Sequence, residues 1–261
     1  MKFIFKPLQW LYCVYAFALF ILLMLLIFPF VLLASLFGII RGGNMIYRLC
    51  MIWGDLWFLL IGIFHKNIYE TPHDKKRQFI FVANHTSYLD APVLVKTIRQ
   101  PLRALGKIEM KSVPLFGFIY SYAVVKVDRT SPESRTRSVR NLRSVLQKGI
   151  SIIIFPEGTF NTTSHPLKDF YDGAFRVAVE TQTPIKPVLF LDACNRMHYR
   201  SVFTFNPGRS RSVFLEEIAV NDLTITDVGM LKQKVYDLME RKLKDYKASW
   251  IKPSPDLHKG E

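Results

Sequence analysis

A histidine and an aspartate stand five positions apart at the end of an apolar run, in the segment FIFVANHTSYLD at residues 79–90. An imidazole can take up a proton near neutral pH, and a carboxylate bonded to one ring nitrogen leaves the other nitrogen available as a base. His85 and Asp90 therefore predict a general-base pair. In an alternative interpretation, Asp90 only supports the first turn of a helix and His85 is an ordinary loop residue.

The elements that position this pair follow from its neighbours. Phe79–Ala83 is a short run of apolar, aromatic and β-branched residues, which is typical of a buried strand. Ser87 has the form of a helix N-cap with an acidic residue three positions later, so we expect a helix to begin near Tyr88. His85 then lies at the C-terminal end of a strand, and Asp90 faces back toward it.

Two further polar residues follow predicted strands. Arg129 comes after the strand Ala123–Val127, and Glu157 follows the strand Ile150–Phe155. Strands alternate with helices along this part of the chain, which predicts an α/β fold with a mixed, centrally parallel sheet flanked by helices. The carboxyl ends of parallel strands share one edge of a sheet, so His85, Arg129 and Glu157 should converge there.

The segments on either side of this alternating region have weaker patterns. Residues 65–78 are mostly polar and predict a linker. Toward the C-terminus, Ser201–Phe205 and Ser212–Glu216 predict an antiparallel pair of strands around Pro207 and Gly208. An amphipathic helix closes the domain.

The composition indicates the kind of partner. The 261 residues leave room for one sizeable domain and an appendage, and 35 basic against 21 acidic residues give a formal net charge of +14. Anionic partners are therefore expected. Nucleic acid is not among them, because the arginine-rich stretch 135–143 lacks interleaved aromatic residues and a known motif. The three cysteines predict neither a disulfide framework nor a metal site.

The N-terminal residues 1–64 predict a hydrophobic helical hairpin embedded in the membrane. No charged residue occurs from Pro7 to Ile40, a run too long for a signal peptide. The second apolar segment, Met45–Phe64, contains Arg48 and Asp55, which are costly at the centre of a bilayer. A hairpin dipping into one leaflet, two full spans, or a single anchor with the second helix packed on the domain all remain open. The basic remainder of the chain predicts that the domain lies on the cytoplasmic face.

Four motifs in the order NHTSYLD, VKVDR, FPEGTF and TPIKPV resemble those of the glycerolipid acyltransferases of the lysophosphatidic acid acyltransferase (PlsC-like) family. The resemblance covers roughly residues 65–220, and the hydrophobic hairpin also matches the family. It implies that residues 65–250 form an acyltransferase catalytic domain. Residues 251–261 then form a polar C-terminal tail.

The resemblance also implies roles for individual residues. His85 is the general base, and Asp90 fixes its tautomer. Glu157 orients Arg129, binds a hydroxyl of the acceptor, or only closes the turn after its strand, and backbone N–H groups beside it contribute to an anion or oxyanion site. The candidate substrate-binding residues are Arg129, Glu157, Gly158, Thr159 and Lys107.

The implied reaction moves a fatty acyl group from acyl-CoA or acyl carrier protein to the free hydroxyl of a lysolipid. The expected acceptor is 1-acylglycerol 3-phosphate, which gives phosphatidic acid. An acyl thioester is already activated, so a base and oxyanion stabilisation suffice, and no bound cofactor or metal is expected. The expected partners are the donor, the lysolipid and anionic membrane lipids.

Two positions depart from the family pattern. Phe160 stands where members typically carry a phosphate-binding arginine, and Tyr171 stands where they often carry a lysine. Lys168 or Arg176 are possible replacements for the missing charge. The departures keep a different lysolipid acceptor open, for example an aminoacyl lipid. A non-catalytic lipid-binding protein and a thioesterase-like hydrolase, in which the same base acts on water, are further alternatives.

Overall fold

Two long hydrophobic helices open the fold. The computed structural model describes residues 2–127 and 132–251. Helix α1 spans Lys2–Ser35, and a short π-helical turn, Gly38–Gly42, connects it to helix α2, Gly43–Leu60. This order confirms the expected helical hairpin, in which both helices are built from nearly continuous apolar sequence.

A seven-stranded sheet follows, with the strand order β1-β7-β6-β2-β5-β3-β4. Five neighbouring strands, β6, β2, β5, β3 and β4, run parallel, whereas β7 is antiparallel to β6 and parallel to β1. The predicted mixed, centrally parallel sheet is therefore confirmed. The strands are β1 Ile63–Tyr69, β2 Ile80–Ala83, β3 Leu102–Lys107, β4 Val124–Val127, β5 Ser151–Ile154, β6 Ile185–Phe190 and β7 Gly208–Phe214.

Helices cover both faces of this sheet. The remaining helices are α3 Asp90–Thr97, α4 Phe116–Ala123, α5 Pro132–Leu146, α6 Gly173–Thr181, α7 Ala193–Arg196 and α8 Val228–Asp245. Side chains of α5, α6 and α8 form the core on one face of the sheet. Side chains of α1, α2 and α3 form the core on the other face. Each sheet strand in the middle is thus buried on both sides, which is why those strands read as continuous apolar runs.

Two predictions about the outer strands are wrong. Residues 63–69 are strand β1 and not part of a linker, because the polar side chains in this strand bond to each other and to β7. The His65 ring lies 2.9 Å from Asn67 Oδ1 and 3.0 Å from Ser210 Oγ. The predicted antiparallel pair is also absent from this part of the described chain, since Val202–Thr204 is a 3₁₀ turn and the following strand β7 pairs with β1 and β6.

The hairpin packs on the sheet as one layer of the fold. The Trp57 indole donates to the carbonyl of Ala16 at 2.9 Å, and Trp57 and Phe58 are almost fully buried against the sheet. Asp55, which is costly in a membrane helix, is paired with Lys96 of α3 at 2.5 Å and with Arg99, just after α3, at 2.6 Å. The predicted domain boundary at residue 64 falls inside β1, and the division into two domains stays a prediction.

The opposite side of the hairpin is apolar and uncovered. Leu11, Leu33 and Leu36 on and just after α1 are 66%, 60% and 80% exposed. Among the described residues, one helical stretch, Lys6–Ser35, is long and apolar enough to cross a membrane, and only 22% of its most hydrophobic window is buried. Within residues 2–127 and 132–251, no segment covers this apolar face, and an exposed apolar patch of this kind marks an interaction surface.

Candidate active site

Pairing of β2 with β5 brings two distant motifs to one edge of the sheet. The strands run parallel in the register Ile80 to Ile152, so the residues that follow them emerge side by side. The backbone N–H of His85 donates to Glu157 Oε1 at 2.8 Å. The backbone N–H of Asn161 donates to the carbonyl of His85 at 2.7 Å. The predicted convergence of the first and third motifs is therefore seen.

His85 and Asp90 form a hydrogen-bonded pair. Asp90 Oδ2 lies 2.7 Å from His85 Nδ1, and it also accepts from the backbone N–H groups of Thr86 at 2.7 Å and Ser87 at 2.9 Å. The carboxyl is fully buried, whereas the imidazole is 24% exposed. Because Asp90 Oδ2 also accepts from these two backbone N–H groups, Nδ1 is assigned as the donor of the hydrogen bond, and in the neutral imidazole Nε2 then keeps its lone pair. This tautomer can act as a base toward a substrate.

The segment that holds this pair is fixed at both ends. The Asn84 side chain donates to the carbonyl of Phe190 at 3.0 Å and accepts from its N–H at 2.8 Å, which ties the end of β2 to β6. Ser87 Oγ donates to the carbonyl of Met197 at 2.5 Å and accepts from the N–H of Leu89 at 3.0 Å. Helix α3 begins at Asp90 without a side-chain cap. The predicted N-cap role of Ser87 is therefore wrong, because Leu89 occupies the N-cap position of α3.

Aromatic rings surround the His85 imidazole. Phe155 stacks on it with ring centroids 4.3 Å apart and an interplanar angle of 21°. Phe160 contacts it edge-on at 4.4 Å, and Tyr88 packs against Phe160 at 4.8 Å. The residue that replaces the family arginine thus lies directly on the candidate base, where it limits the positions that a substrate can occupy.

Glu157 joins two segments through its carboxylate. One oxygen accepts from the N–H of His85, and the other accepts from the N–H of Lys168 at 3.0 Å. The side chain is 2% exposed. Burial raises the pKa of this carboxyl to about 7, and the hydrogen bonds from the backbone of Lys168 and His85 oppose that rise. Glu157 therefore positions the His85 segment, and contact with the acceptor stays a prediction.

Two backbone N–H groups of the turn after Glu157 donate to carbonyls within the same turn. The N–H of Gly158 donates to the carbonyl of Phe155 at 3.0 Å, and the N–H of Thr159 donates to the carbonyl of Glu157 at 2.9 Å. Gly158 has a φ of +72°, which favours glycine at this position. These hydrogen bonds do not support the expected anion site of backbone N–H groups. The Lys168 ammonium donates to Thr159 Oγ1 at 2.6 Å instead, so a cation lies at this turn.

Comparison with known proteins supports an assignment to a family. Residues 64–191, which contain the histidine, the aspartate and the glutamate, match the Acyltransferase family. The 1-acyl-sn-glycerol-3-phosphate acyltransferase of Limnanthes alba is 27% identical over 227 residues, which cover 85% of this chain and 75% of that protein. A probable enzyme of the same name from Mycoplasma genitalium is 29% identical over 194 residues, 66% of this chain and 69% of that protein. These matches support a PlsC-like acyltransferase.

A solved structure shares the fold of this PlsC-like acyltransferase. The crystal structure of the 1-acyl-sn-glycerophosphate (LPA) acyltransferase PlsC from Thermotoga maritima superposes with a TM-score of 0.73 at 23% identity. The match covers 97% of this chain and 100% of the other. The arrangement of hairpin and sheet therefore recurs as a whole.

For two of the predicted binding residues, Lys107 and Arg129, no side-chain contact is described. Lys107 is the last residue of β3 and thus reaches the same edge of the sheet. Arg129 lies outside the described residues, so its predicted phosphate contact stays a prediction. In the ranges 2–127 and 132–251, no group of three or more His, Cys, Asp or Glu side chains could hold a metal ion.

Sequence reasoning missed three residues of this site. Asn84 immediately precedes the histidine and is fully buried. Its position in the first motif is the one feature of the sequence that could have indicated a role in the site. For Phe155 the sequence predicts a place in a strand, and its stacking on the His85 ring was not predicted. Met197 lies 110 positions from its partner Ser87, and nothing in the local pattern announces that contact.

Proposed function

We propose that this PlsC-like acyltransferase transfers a fatty acyl group from acyl-CoA or acyl carrier protein to the free hydroxyl of 1-acylglycerol 3-phosphate, which gives phosphatidic acid. The observation that carries the proposal is the buried Asp90 carboxylate on Nδ1 of a partly exposed His85. The names of the two relatives support the choice of acceptor.

In the proposed mechanism His85 Nε2 removes the proton of the acceptor hydroxyl. The oxygen attacks the thioester carbonyl, and Asp90 stabilises the imidazolium that forms. When the tetrahedral intermediate collapses, the carbon–sulfur bond breaks and the imidazolium returns its proton to the thiolate. Among the described residues, the cysteines Cys13, Cys50 and Cys194 are not candidate nucleophiles, since they are half-buried or buried and burial raises the pKa of the Cys194 thiol to about 11.

The acceptor phosphate requires cations near the base. Lys168 meets this requirement because its ammonium already lies at Thr159, in the turn that follows Glu157. Arg129 is the second proposed cation, and its guanidinium suits a phosphate because it offers paired hydrogen bonds. Lys107, at the end of β3, is the third.

The hairpin is proposed to lie in one leaflet, with the domain on the cytoplasmic face. One side of α2 packs on the sheet and on α3, while α1 keeps an uncovered apolar side. Two complete spans would require α2 to leave the sheet and would expose Trp57 and Phe58. Immersion of the outer side alone keeps both contacts.

A second acceptor class follows from Phe160. The ring contacts His85 edge-on, at the sequence position where members of the family typically carry an arginine, and Tyr88 extends this aromatic surface. An uncharged or cationic head group packs on aromatic rings more favourably than a phosphate does. The second candidate function is therefore acyl transfer to a lysolipid without a phosphate monoester, such as an aminoacyl lipid.

The test mixes the purified chain in detergent with labelled acyl-CoA or acyl carrier protein and a panel of lysolipids. We expect His85→Ala to lower transfer about a hundred- to ten-thousandfold, because the general base is lost. The exposed His165 supplies the control variant His165→Ala, which should keep the wild-type rate. Equal transfer by wild type and His85→Ala would overturn the mechanism. Release of free fatty acid without product lipid would instead identify a hydrolase.

A further inference from the structure

A loop for which the sequence predicts a strand contacts the segment that follows His85 and the segment that follows Phe160. Loop 197–207 connects α7 to β7. The carbonyl of Met197 accepts from Ser87 Oγ at 2.5 Å, two positions after the candidate base. The hydroxyl of Tyr199 donates to the carbonyl of Thr162 at 3.0 Å, two positions after Phe160. The inner side of the loop therefore borders the site.

The outer side of the same loop continues the uncovered surface of α1. Phe203 stacks on Trp10 with ring centroids 5.0 Å apart, and both rings remain about half exposed, at 45% and 57%. Phe205 anchors the loop from beneath, since it is fully buried and its carbonyl accepts from Cys13 Sγ at 3.6 Å. An apolar groove of about 680 Å³ lies between α1 and the end of the loop, lined by residues such as Leu11.

The loop is held in one conformation by its own hydrogen bonds. Thr204 Oγ1 accepts from the N–H of His198 at 2.8 Å and donates to the carbonyl of Ser201 at 2.6 Å. Ser201 Oγ accepts from the N–H of Phe203 at 3.1 Å. Exposure of Phe203 is therefore a property of an ordered turn, and the ring cannot fold back into the core without breaking these bonds.

The charged side chains within the loop and on α1 are all basic. Residues 193–209 contain three arginines and no acidic residue, and α1 has no acidic residue either. Arg200 and Arg209 are exposed. Exposed tryptophan, tyrosine and phenylalanine beside arginines, at the border of an apolar surface, is the composition found where proteins meet the head groups of a bilayer. Anionic lipids add electrostatic attraction to such a surface.

We propose that loop 197–207 is a second membrane-contact element, which lies with Trp10 in the head-group region of an anionic phospholipid bilayer and takes a lipid acyl chain into the adjoining groove. The loop then borders the membrane on one side and the His85 segment on the other, and a lysolipid acceptor enters the site along it. This last step rests on the proposed function. Membrane contact of the loop does not.

A spin label reports the contact directly. Val202→Cys places a nitroxide on the exposed turn, and Met230→Cys places one on α8, on the opposite face of the sheet, where the native side chain is 59% exposed. In vesicles of phosphatidylcholine and phosphatidylglycerol, we expect the label at position 202 to gain accessibility to oxygen and lose accessibility to a water-soluble nickel chelate. The label at position 230 should stay open to the chelate. Labelled wild type corrects for the native cysteines.

A second pair of variants measures the contribution to binding. Phe203→Ser should weaken binding to the same vesicles about threefold or more, because an aromatic anchor leaves the interface. Met230→Ser removes an exposed apolar side chain from the other face and should bind as wild type does. Both measurements use no substrate, so they hold or fail independently of acyl transfer.

Three outcomes would overturn the proposal. In the first, the label at position 202 stays as open to the chelate as the label at 230. In the second, Phe203→Ser binds vesicles as tightly as wild type does. The third outcome concerns acyl carrier protein, an acidic protein that a basic aromatic surface can also recognise. If Phe203→Ser loses carrier-protein binding and keeps vesicle binding, the surface belongs to that protein.

Discussion

Two buried carboxyls lie beside the candidate base, and they contact different parts of it. Asp90 bonds to the ring of His85, where it selects the tautomer that leaves Nε2 unprotonated. Glu157 bonds to the backbone of the same residue and of Lys168. The first carboxyl determines the chemistry of the imidazole, and the second determines where the imidazole lies. Glu157 does not share the role of Asp90, since its two carboxylate oxygens bond to backbone N–H groups and not to the imidazole ring.

The raised pKa of Glu157 predicts how the free energy of unfolding depends on pH. Its value of about 7 in the folded chain, against an ordinary value of 4.5, means that folding favours the protonated carboxyl. Stability from this group is complete below about pH 4.5, falls as the pH rises to about 7, and is then constant. The expected loss is on the order of 3 kcal/mol.

Thermal unfolding of wild type and Glu157→Gln across this pH range measures the effect, because the glutamine does not titrate and other groups cancel in the comparison. Wild type should lose melting temperature relative to the variant between pH 4.5 and 7. A difference that is flat with pH would show that the carboxyl is not buried as described.

A second prediction at this scale concerns the effect of Phe160 on the choice of acceptor. Phe160→Arg should lower KM for 1-acylglycerol 3-phosphate roughly tenfold, because a guanidinium forms charge-assisted hydrogen bonds to a phosphate. Phe160→Leu is the matched control, which removes the ring and adds no charge. Kinetics with this acceptor and with a phosphate-free lysolipid measure the change. If arginine and leucine give the same KM, the phosphate is held elsewhere.

At the scale of elements, one arginine fastens the tip of the hairpin to the sheet. Arg103 on β3 is 3% exposed, and its guanidinium donates to Asn44 Oδ1 at 3.0 Å and to the carbonyl of Ile39 at 3.0 Å. Burial lowers the pKa of Arg103 to about 10. Its donors are satisfied mainly by carbonyls at the joint between α1 and α2, so the joint and the sheet form one unit.

Gly43, the first residue of α2, tests this joint. A Cβ atom there would lie within clashing distance of Arg103 Nη2 and 3.0 Å from the carbonyl of Tyr122. Gly43→Ala should destabilise the chain by about 1–3 kcal/mol, because the guanidinium must leave its carbonyls. Gly229→Ala is the control, since that position in α8 is open and the change should be neutral or stabilising by about 0.4–1 kcal/mol. Chemical unfolding in detergent compares them, and equal effects would contradict the anchoring role.

At the scale of the whole molecule, the hydrophobic hairpin and the sheet share one core. Cys13 and Ala16 on α1 are fully buried in the cluster that also contains Phe81 and Phe190 of the sheet. The Tyr12 hydroxyl donates to the carbonyl of Ile61 at 2.8 Å, just before β1. The surface that faces the proposed membrane and the surface that supports the site therefore belong to the same helices.

Removal of residues 1–35 tests this continuity. We expect no soluble active domain, because Trp57, now 2% exposed, would lose its contacts with Ala16 and Phe20 of α1. Size-exclusion chromatography and the acyl-transfer assay, with the full chain in the same detergent as the control, measure the outcome. A monodisperse and active fragment would show that the hairpin is a separable anchor.

The amino-acid sequence by itself determined the elements of the central parallel sheet and the motif residues at its strand ends. Apolar runs of strand length and amphipathic helical stripes are local, so β2, β5 and α8 could be predicted from a few neighbouring residues. The pairing of His85 with Asp90 was also predictable, because five positions of chain separate them.

Only the tertiary structure decided the contacts between distant segments. The carboxylate of Glu157 on the backbone of His85 spans 72 positions, and Ser87 on Met197 spans 110. Strand β1 and the exposed turn at Phe203 were missed for the same reason. Their polar or aromatic residues are explained by partners that are remote in sequence, and long-range packing, unlike periodicity, leaves no local pattern to read.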